Sequence, residues 1–281
     1  IESAAIIFTN TILFSFIPSM MYAIFRYIQM SRIVSIFGSL SVICCSSYLF
    51  WAGSAKDHLL IAFLITVLVY VFTIFQVRRS CLHIMYLFVV GGLICWARPE
   101  YGIFILGGLI IWEFGSLYHQ MKENKQNILQ FFYKKEIYAC IFGFFIGLIP
   151  FFVNNILITK NPLIPPQYLY VANSRTNVTS IIQSVHSENT NIISQGLFYL
   201  NQIWTFFSPD IEGIVDIYRL FWISPNGSLG ILLVCPIIIP ALMYGMRTIK
   251  NKNCHFSKET MNLLFFSLFI SLLTLLAYAR V

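Results

Sequence analysis

Long apolar runs separated by short polar breaks set the pattern of this chain. Runs of the length that crosses a bilayer core, about 20 residues each, fall at Ala4 to Phe25, Ile33 to Trp51, His58 to Val77, Cys81 to Ala97, Gly102 to Leu117, Tyr138 to Ile158, Leu229 to Met246 and Met261 to Ala279. A backbone amide in hydrocarbon has no water to turn to, and an open strand leaves its edge unpaired, so each run is expected to be a helix. Pro18, Pro150, Pro236 and Pro240 fall inside or near the ends of these runs, where kinks are expected. The pattern predicts an all-α integral membrane fold of about eight transmembrane helices. Residues 1–158 form a six-helix membrane region, 159–228 an outer loop, and 229–281 a C-terminal pair of spans.

Two breaks differ from simple connectors. From Asn124 to Ile137, basic and amide residues alternate with Ile128, Leu129, Phe131 and Phe132, which fits either a short helix along the headgroups or a plain connector. The segment from Thr159 to Ser228 is about 70 residues, far above the usual connection of about a dozen at most. Within it, Ile193, Leu197, Leu200, Trp204 and Phe207 recur at helical spacing, which predicts an interfacial helix on the outer leaflet.

Charge supplies the orientation. One set of breaks carries Arg26, Arg32, Arg78, Arg79, Lys122, Lys125, Lys134, Lys135, Arg247, Lys250, Lys252 and Lys258. The alternate set carries Lys56, Arg98, Lys160, Arg175, Arg219 and Arg280, although it includes the longest loop, so the first set marks the cytoplasm. Trp51, Trp96 and Trp222 then fall near the outer interface.

Composition agrees: 58% of the 281 residues are hydrophobic and 10% charged, where a soluble domain runs near a quarter charged. A compact water-soluble fold of this size lacks the polar residues to cover its surface, so lipid must do the covering. The net charge of +7 is dispersed between apolar runs as topology signals are, so the expected partner is the bilayer with its anionic headgroups and not nucleic acid. The seven cysteines lie mostly in apolar runs with no paired spacing and read as small buried hydrophobes. With Ile1 at its start and an apolar run at its end, the chain is expected to be an excerpt of a longer protein.

Soluble-enzyme motifs are absent: no G-x-G-x-x-G, Walker loop, H-E-x-x-H or G-x-S-x-G. His58, His83, His119, His186 and His255 are scattered, and no metal site is expected from them. The sequons at Asn177 and Asn226 fall on the outer side, though such triplets arise often by chance. Gly143 and Gly147 form a small-x-x-x-small pair expected to pack helices.

Three stretches carry chemistry. Arg98-Pro99-Glu100 lies between the fourth and fifth runs, where a charged pair would cost about 2.5 to 3.5 kcal/mol per residue at the bilayer centre. Either proline ends a helix and the charges solvate the turn, or Arg98 binds an anionic lipid phosphate. The second runs from Pro150 through Asn154-Asn155 to Asn161-Pro162 and Tyr168, with asparagines in an apolar helix that need partners. The third, Ser224-Pro225-Asn226-Gly227 with Gly230 and Pro236, returns the long loop to the bilayer.

Taken together with Lys56-Asp57 opening a span, these stretches resemble the GT-C membrane glycosyltransferases, the group that holds protein O-mannosyltransferases and lipid A aminoarabinose transferases. The resemblance covers most of the chain, and none of its motifs is specific alone. It implies transfer of a sugar from a polyprenyl-phosphate carrier to an acceptor at the outer face. Such transfer needs a carboxylate for the acceptor's proton, a cation for the leaving phosphate and a groove open to lipid. Arg98, Lys56 and Arg175 are the expected phosphate-binding residues; Glu100, Asn155 and Asn161 are expected to shape the site. The family's first carboxylates come from the outer loop between its first two helices, so the catalytic base is expected upstream of Ile1. Asp57, Asp210, Glu212 and Asp216 read as solvated outer acids, with catalytic roles the lesser alternative. The resemblance leaves the sugar, the acceptor and any divalent cation open.

A transporter or flippase is the competing class, since polar groups deep in spans would form a path. Few are present. Glu113 in the fifth run is the exception, read either as a proton-linked site or as a residue near the cytoplasmic end. A non-catalytic membrane subunit is the third class.

Overall fold

The computed structural model describes residues 2–43, 58–78, 80–123, 135–160, 162 and 258–278. Among the described residues the protein is all-helical, with no strand. The helices are α1 (Glu2–Tyr27), α2 (Arg32–Ile43), α3 (His58–Val77), α4 (Cys81–Ala97), α5 (Pro99–Glu123), α6 (Lys135–Thr159) and α7 (Lys258–Tyr278). Within them, four stretches are long and apolar enough to cross a membrane: Ser3–Tyr27, His58–Gln76, Tyr101–His119 and Lys135–Thr159. Helices α2, α4 and α7 carry shorter apolar stretches.

Helices α3 and α4 begin and end with their apolar runs. Helix α5 overshoots its run at both ends, because the backbone ladder continues where polar residues can reach headgroups and water. Helices α1 and α6 continue through Pro18 and Pro150. The run at 229–246, the loop from residue 163 onward with its expected interfacial helix, and most of the segment 124–137 lie outside the described residues.

The helices present an inverted surface. Along α6, Tyr138, Ile141, Phe145, Ile149, Val153 and Ile156 form an exposed apolar stripe at intervals of three or four residues, and α2 exposes Ile33, Phe37 and Leu40. Several polar side chains are buried at the same time: Asn10, Ser35, Thr73, Glu113 and Asn155. Water would favour the opposite arrangement, and hydrocarbon favours this one. Buried hydroxyls are satisfied within their own helix, Ser35 Oγ donating to the Ser31 carbonyl at 2.9 Å and Thr73 Oγ1 to that of Val69 at 2.7 Å.

Small residues and aromatic stacking hold the helices together. Glycines seat α4 on α6: a Cβ added to Gly147 would stand 2.5 Å from the Val89 carbonyl oxygen, and one on Gly143 or Gly92 would overlap the Met85 or Gly147 backbone. This is the close backbone approach expected of the Gly143/Gly147 pair. Helix α7 docks between α3 and α5. Phe266 stacks on Phe72 with centroids 3.6 Å apart and planes at 4°, and Trp112 meets both rings edge-on at 5.7 and 5.5 Å. Asn262 Nδ2 donates to Gln76 Oε1 at 3.0 Å beside this cluster.

These pairings also give direction. Phe16 meets Phe63 and Tyr27 meets Tyr70, so α1 runs parallel to α3. Gly92 packs on Gly147 and Met85 on Gly143, so α4 runs parallel to α6. Trp112 beside Phe72, with Tyr101 sharing a cavity with His58 and Ile61, makes α5 parallel to α3. Phe266 on Phe72 and Asn262 on Gln76 make α7 antiparallel to α3, and Gly102 on Cys95 with Gly91 by Leu106 makes α4 antiparallel to α5. Helices α1, α3 and α5 therefore run one way and α4, α6 and α7 the other. Arg26, Arg78, Lys122 and Lys135 consequently collect at one end of the bundle, and Arg98 sits at the other.

Candidate functional site

The Arg98 end is built on a link of a single residue. Helix α4 stops at Ala97 and α5 starts at Pro99, so Pro99 opens a helix; it does not terminate one. Proline suits a first helical position because it lacks the amide that would go unsatisfied there. It also forces the preceding residue out of the helical region, and Arg98 is extended with φ −148° and ψ 102°. The Arg98 amide donates to the Ile94 carbonyl at 2.8 Å, and its carbonyl accepts from the Gly102 amide at 2.9 Å. Arg98 thus caps both helices. Gly102 permits the reversal, since any Cβ there would overlap the Cys95 backbone. The half-buried Arg98 side chain is carried at the apex of this turn.

One turn below, a cavity of about 270 Å3 opens between α3, α5 and α7. Its walls are His58, Ile61, Ala62, Ile65 and Thr66 from α3, Tyr101 from α5 and Thr274 from α7. Tyr101 joins it to the Arg98 turn, three residues along the chain. His58 and Tyr101 belong to the first turns of their helices, and Thr66 lies about 12 Å further along α3 at 1.5 Å per residue. Thr66 Oγ1 donates to the Ala62 carbonyl at 2.8 Å and Thr274 Oγ1 to that of Ile270 at 2.7 Å.

Asn155 stands at the same end of the bundle on α6, 1% exposed. Its Nδ2 donates to the Pro162 carbonyl at 2.9 Å, and its own carbonyl accepts from Thr159 Oγ1 at 2.8 Å. Lys160 between them takes φ 60°, a left-handed residue that turns the chain off the helix. Asn155 therefore shapes this end by tying the departing chain to α6. Glu100 is the second residue of α5. Lys56, Arg175 and Asn161, with Asp57, Asp210, Glu212 and Asp216, lie outside the described residues.

A second cavity of about 140 Å3 lies at the basic end, lined by Ser80, Cys81, Glu113, Ser116 and Glu136 among others. Glu113 is 2% exposed and lines this cavity, so it is buried near the basic end of the bundle. Ser80 caps α4, its Oγ accepting from the His83 amide at 3.4 Å and lying 2.6 Å from His83 Nδ1. Among the described residues no three of His, Cys, Asp and Glu come together as a metal-ligating group.

The structure thus brings Arg98 and Asn155 to one end with His58, which the sequence weighed only as a metal ligand, and adds Thr66, Tyr101 and Thr274, which the sequence pattern did not single out. A threonine in an apolar run is common and satisfies itself on its own helix, so nothing in the pattern pairs Thr66 with Thr274. Only the docking of α7 does so. No family model, curated protein or solved structure matches this chain.

Proposed function

We propose that this chain spans the membrane eight times with its Arg98 end and long loop on the non-cytoplasmic side of the cell membrane, and that it transfers a sugar from a polyprenyl-phosphate carrier to an acceptor there. The basic residues gathered at the opposite end support the orientation. The observation that carries the activity is the Arg98 turn beside a cavity between membrane helices. A guanidinium held at the interface matches a phosphate bidentately and keeps its charge at any accessible pH.

In the reaction, the acceptor oxygen bonds to the anomeric carbon and the bond from that carbon to the carrier's phosphate oxygen breaks. The electron pair leaves with the phosphate, and the acceptor's proton passes to a carboxylate. Arg98 stabilises the charge that grows on the departing phosphate. Such stabilisation acts most strongly in the transition state and is worth about 100-fold or more in rate. The Asn155 to Pro162 bond holds the neighbouring chain exit in place.

Arg98→Ala is expected to lower sugar transfer in membranes by about 100-fold or more, with unchanged membrane insertion, while Arg98→Lys retains part of the activity because charge survives without the fork. Unaltered transfer in Arg98→Ala would remove the basis of this reading. A transporter is the second reading, favoured by Glu113 buried in the cavity at the basic end. Proton uptake by proteoliposomes that disappears in Glu113→Gln, with no sugar transfer by the parent protein, would establish it instead.

A further inference from the structure

We infer that the cavity between α3, α5 and α7 is a binding site for a neutral, hydroxyl-bearing group, a sugar ring entering from the Arg98 end.

The chemistry of its walls selects the ligand. Thr66 on α3 and Thr274 on α7 both line the cavity, and each has already committed its single hydroxyl proton to its own helix, at 2.8 and 2.7 Å. A hydroxyl that donates to the backbone keeps its lone pairs, so both threonines offer acceptors to whatever fills the space. A ligand meeting them has to bring protons. An anion brings none, so the threonine end of the cavity does not suit a phosphate; His58 and Tyr101, in the first turns of their helices nearer Arg98, are its other polar walls. An ammonium brings protons and a charge, but the described lining holds no carboxylate to balance it, and an unpaired cation in a membrane bundle is costly. A neutral polyol satisfies both conditions. Ile61, Ala62 and Ile65 supply an apolar wall for the C–H surface of a ring.

Size agrees with one ring. The cavity of about 270 Å3 lies just below the range of whole small-molecule pockets, about 300 to 1,000 Å3. Identifying the polyol as the carrier's sugar rests on the transfer reading above; the ligand class rests on the cavity alone.

The test uses the full chain in nanodiscs with hexyl β-glucoside bearing a diazirine on its tail, and with a diazirine analogue of hexanol as the tail-only probe. After illumination, the glucoside probe is expected to mark peptides from α3 and α7 around Thr66 and Thr274. Unlabelled hexyl glucoside should compete for that labelling and hexanol should not. The double variant Thr66→Val with Thr274→Val keeps the side-chain shape, removes both acceptors and is expected to weaken glucoside competition about tenfold or more. Thr66→Ser with Thr274→Ser restores the oxygens and the competition. Equal marking by both probes, no marking of these peptides, or a Val variant that competes like the parent overturns the assignment. A chain that binds glucoside here but transfers no sugar would overturn the transfer reading and leave this site standing. Active transfer with glucoside labelling elsewhere would do the reverse.

Discussion

Asn155 illustrates what a polar residue in an apolar helix does in this protein. Its amide is spent on the Pro162 carbonyl and its backbone carbonyl on Thr159, which closes the exit from α6 around the left-handed Lys160. Removing the side chain breaks the bond between Asn155, which is 1% exposed, and the carbonyl of the exposed Pro162. Asn155→Ala is therefore expected to destabilise the protein in detergent by about 0.5 to 1.5 kcal/mol, read as a lower midpoint of thermal unfolding and faster amide exchange in the last turn of α6. Asn155→Asp should cost more, since a carboxylate would face the carbonyl without a proton to give. Sequence showed that the asparagine needed a partner; which atom answers, seven residues on, depended on the turn. At Arg98 the break between two helices was legible but the role of its proline was not: Pro99 opens α5, and with Gly102 it fixes the turn by local sterics.

At the scale of helices, glycine divides into two kinds that the sequence does not distinguish. Gly143, Gly147 and Gly92 lie where α4 and α6 meet backbone to backbone, whereas a Cβ on Gly107 or Gly115 would meet nothing within 4 Å. Lipid tails are as apolar as the side chains, so helices gain little by burying oil and depend on close approach. Gly147→Ala should force the pair apart and cost about 1 to 3 kcal/mol of stability. Gly107→Ala, by contrast, should cost nothing and gain up to about 1 kcal/mol from helix propensity. Thermal unfolding of the two variants in the same detergent checks the pair of expectations; equal losses would remove the packing account. The Gly143/Gly147 spacing announced an interface, but its partner face on α4, with Gly92 in it, emerged only from the fold.

The bundle as a whole is organised by alternation. Helices α1, α3 and α5 descend where α4, α6 and α7 ascend, and this places Arg26, Arg78, Lys122 and Lys135 together, remote from Arg98. The proposed orientation makes a specific expectation for intact cells. In a cysteine-free background, Trp96→Cys should react with an impermeant maleimide added outside, and Lys122→Cys should react only after permeabilisation. Reversed labelling would invert the orientation, and labelling of both from one side would contradict a bundle crossing the bilayer. The α3, α5, α7 junction makes the C-terminal helix part of the same core, since Phe266 and Asn262 meet residues of α3 that are far away in the chain.

What the sequence determined by itself is the solvent and the secondary structure. Apolar runs of bilayer length can satisfy their amides only as helices, and the ends of α3 and α4 were readable to the residue because hydropathy stops where polar groups begin. What the tertiary structure alone decided is which faces look inward. In water an amphipathic stripe announces the buried side, but in hydrocarbon both sides of a span are oily and the stripe vanishes. Contact is then chosen by glycine gaps, aromatic packing and the Asn262–Gln76 pair, and these same choices bring Thr66 and Thr274 into the lining of one cavity.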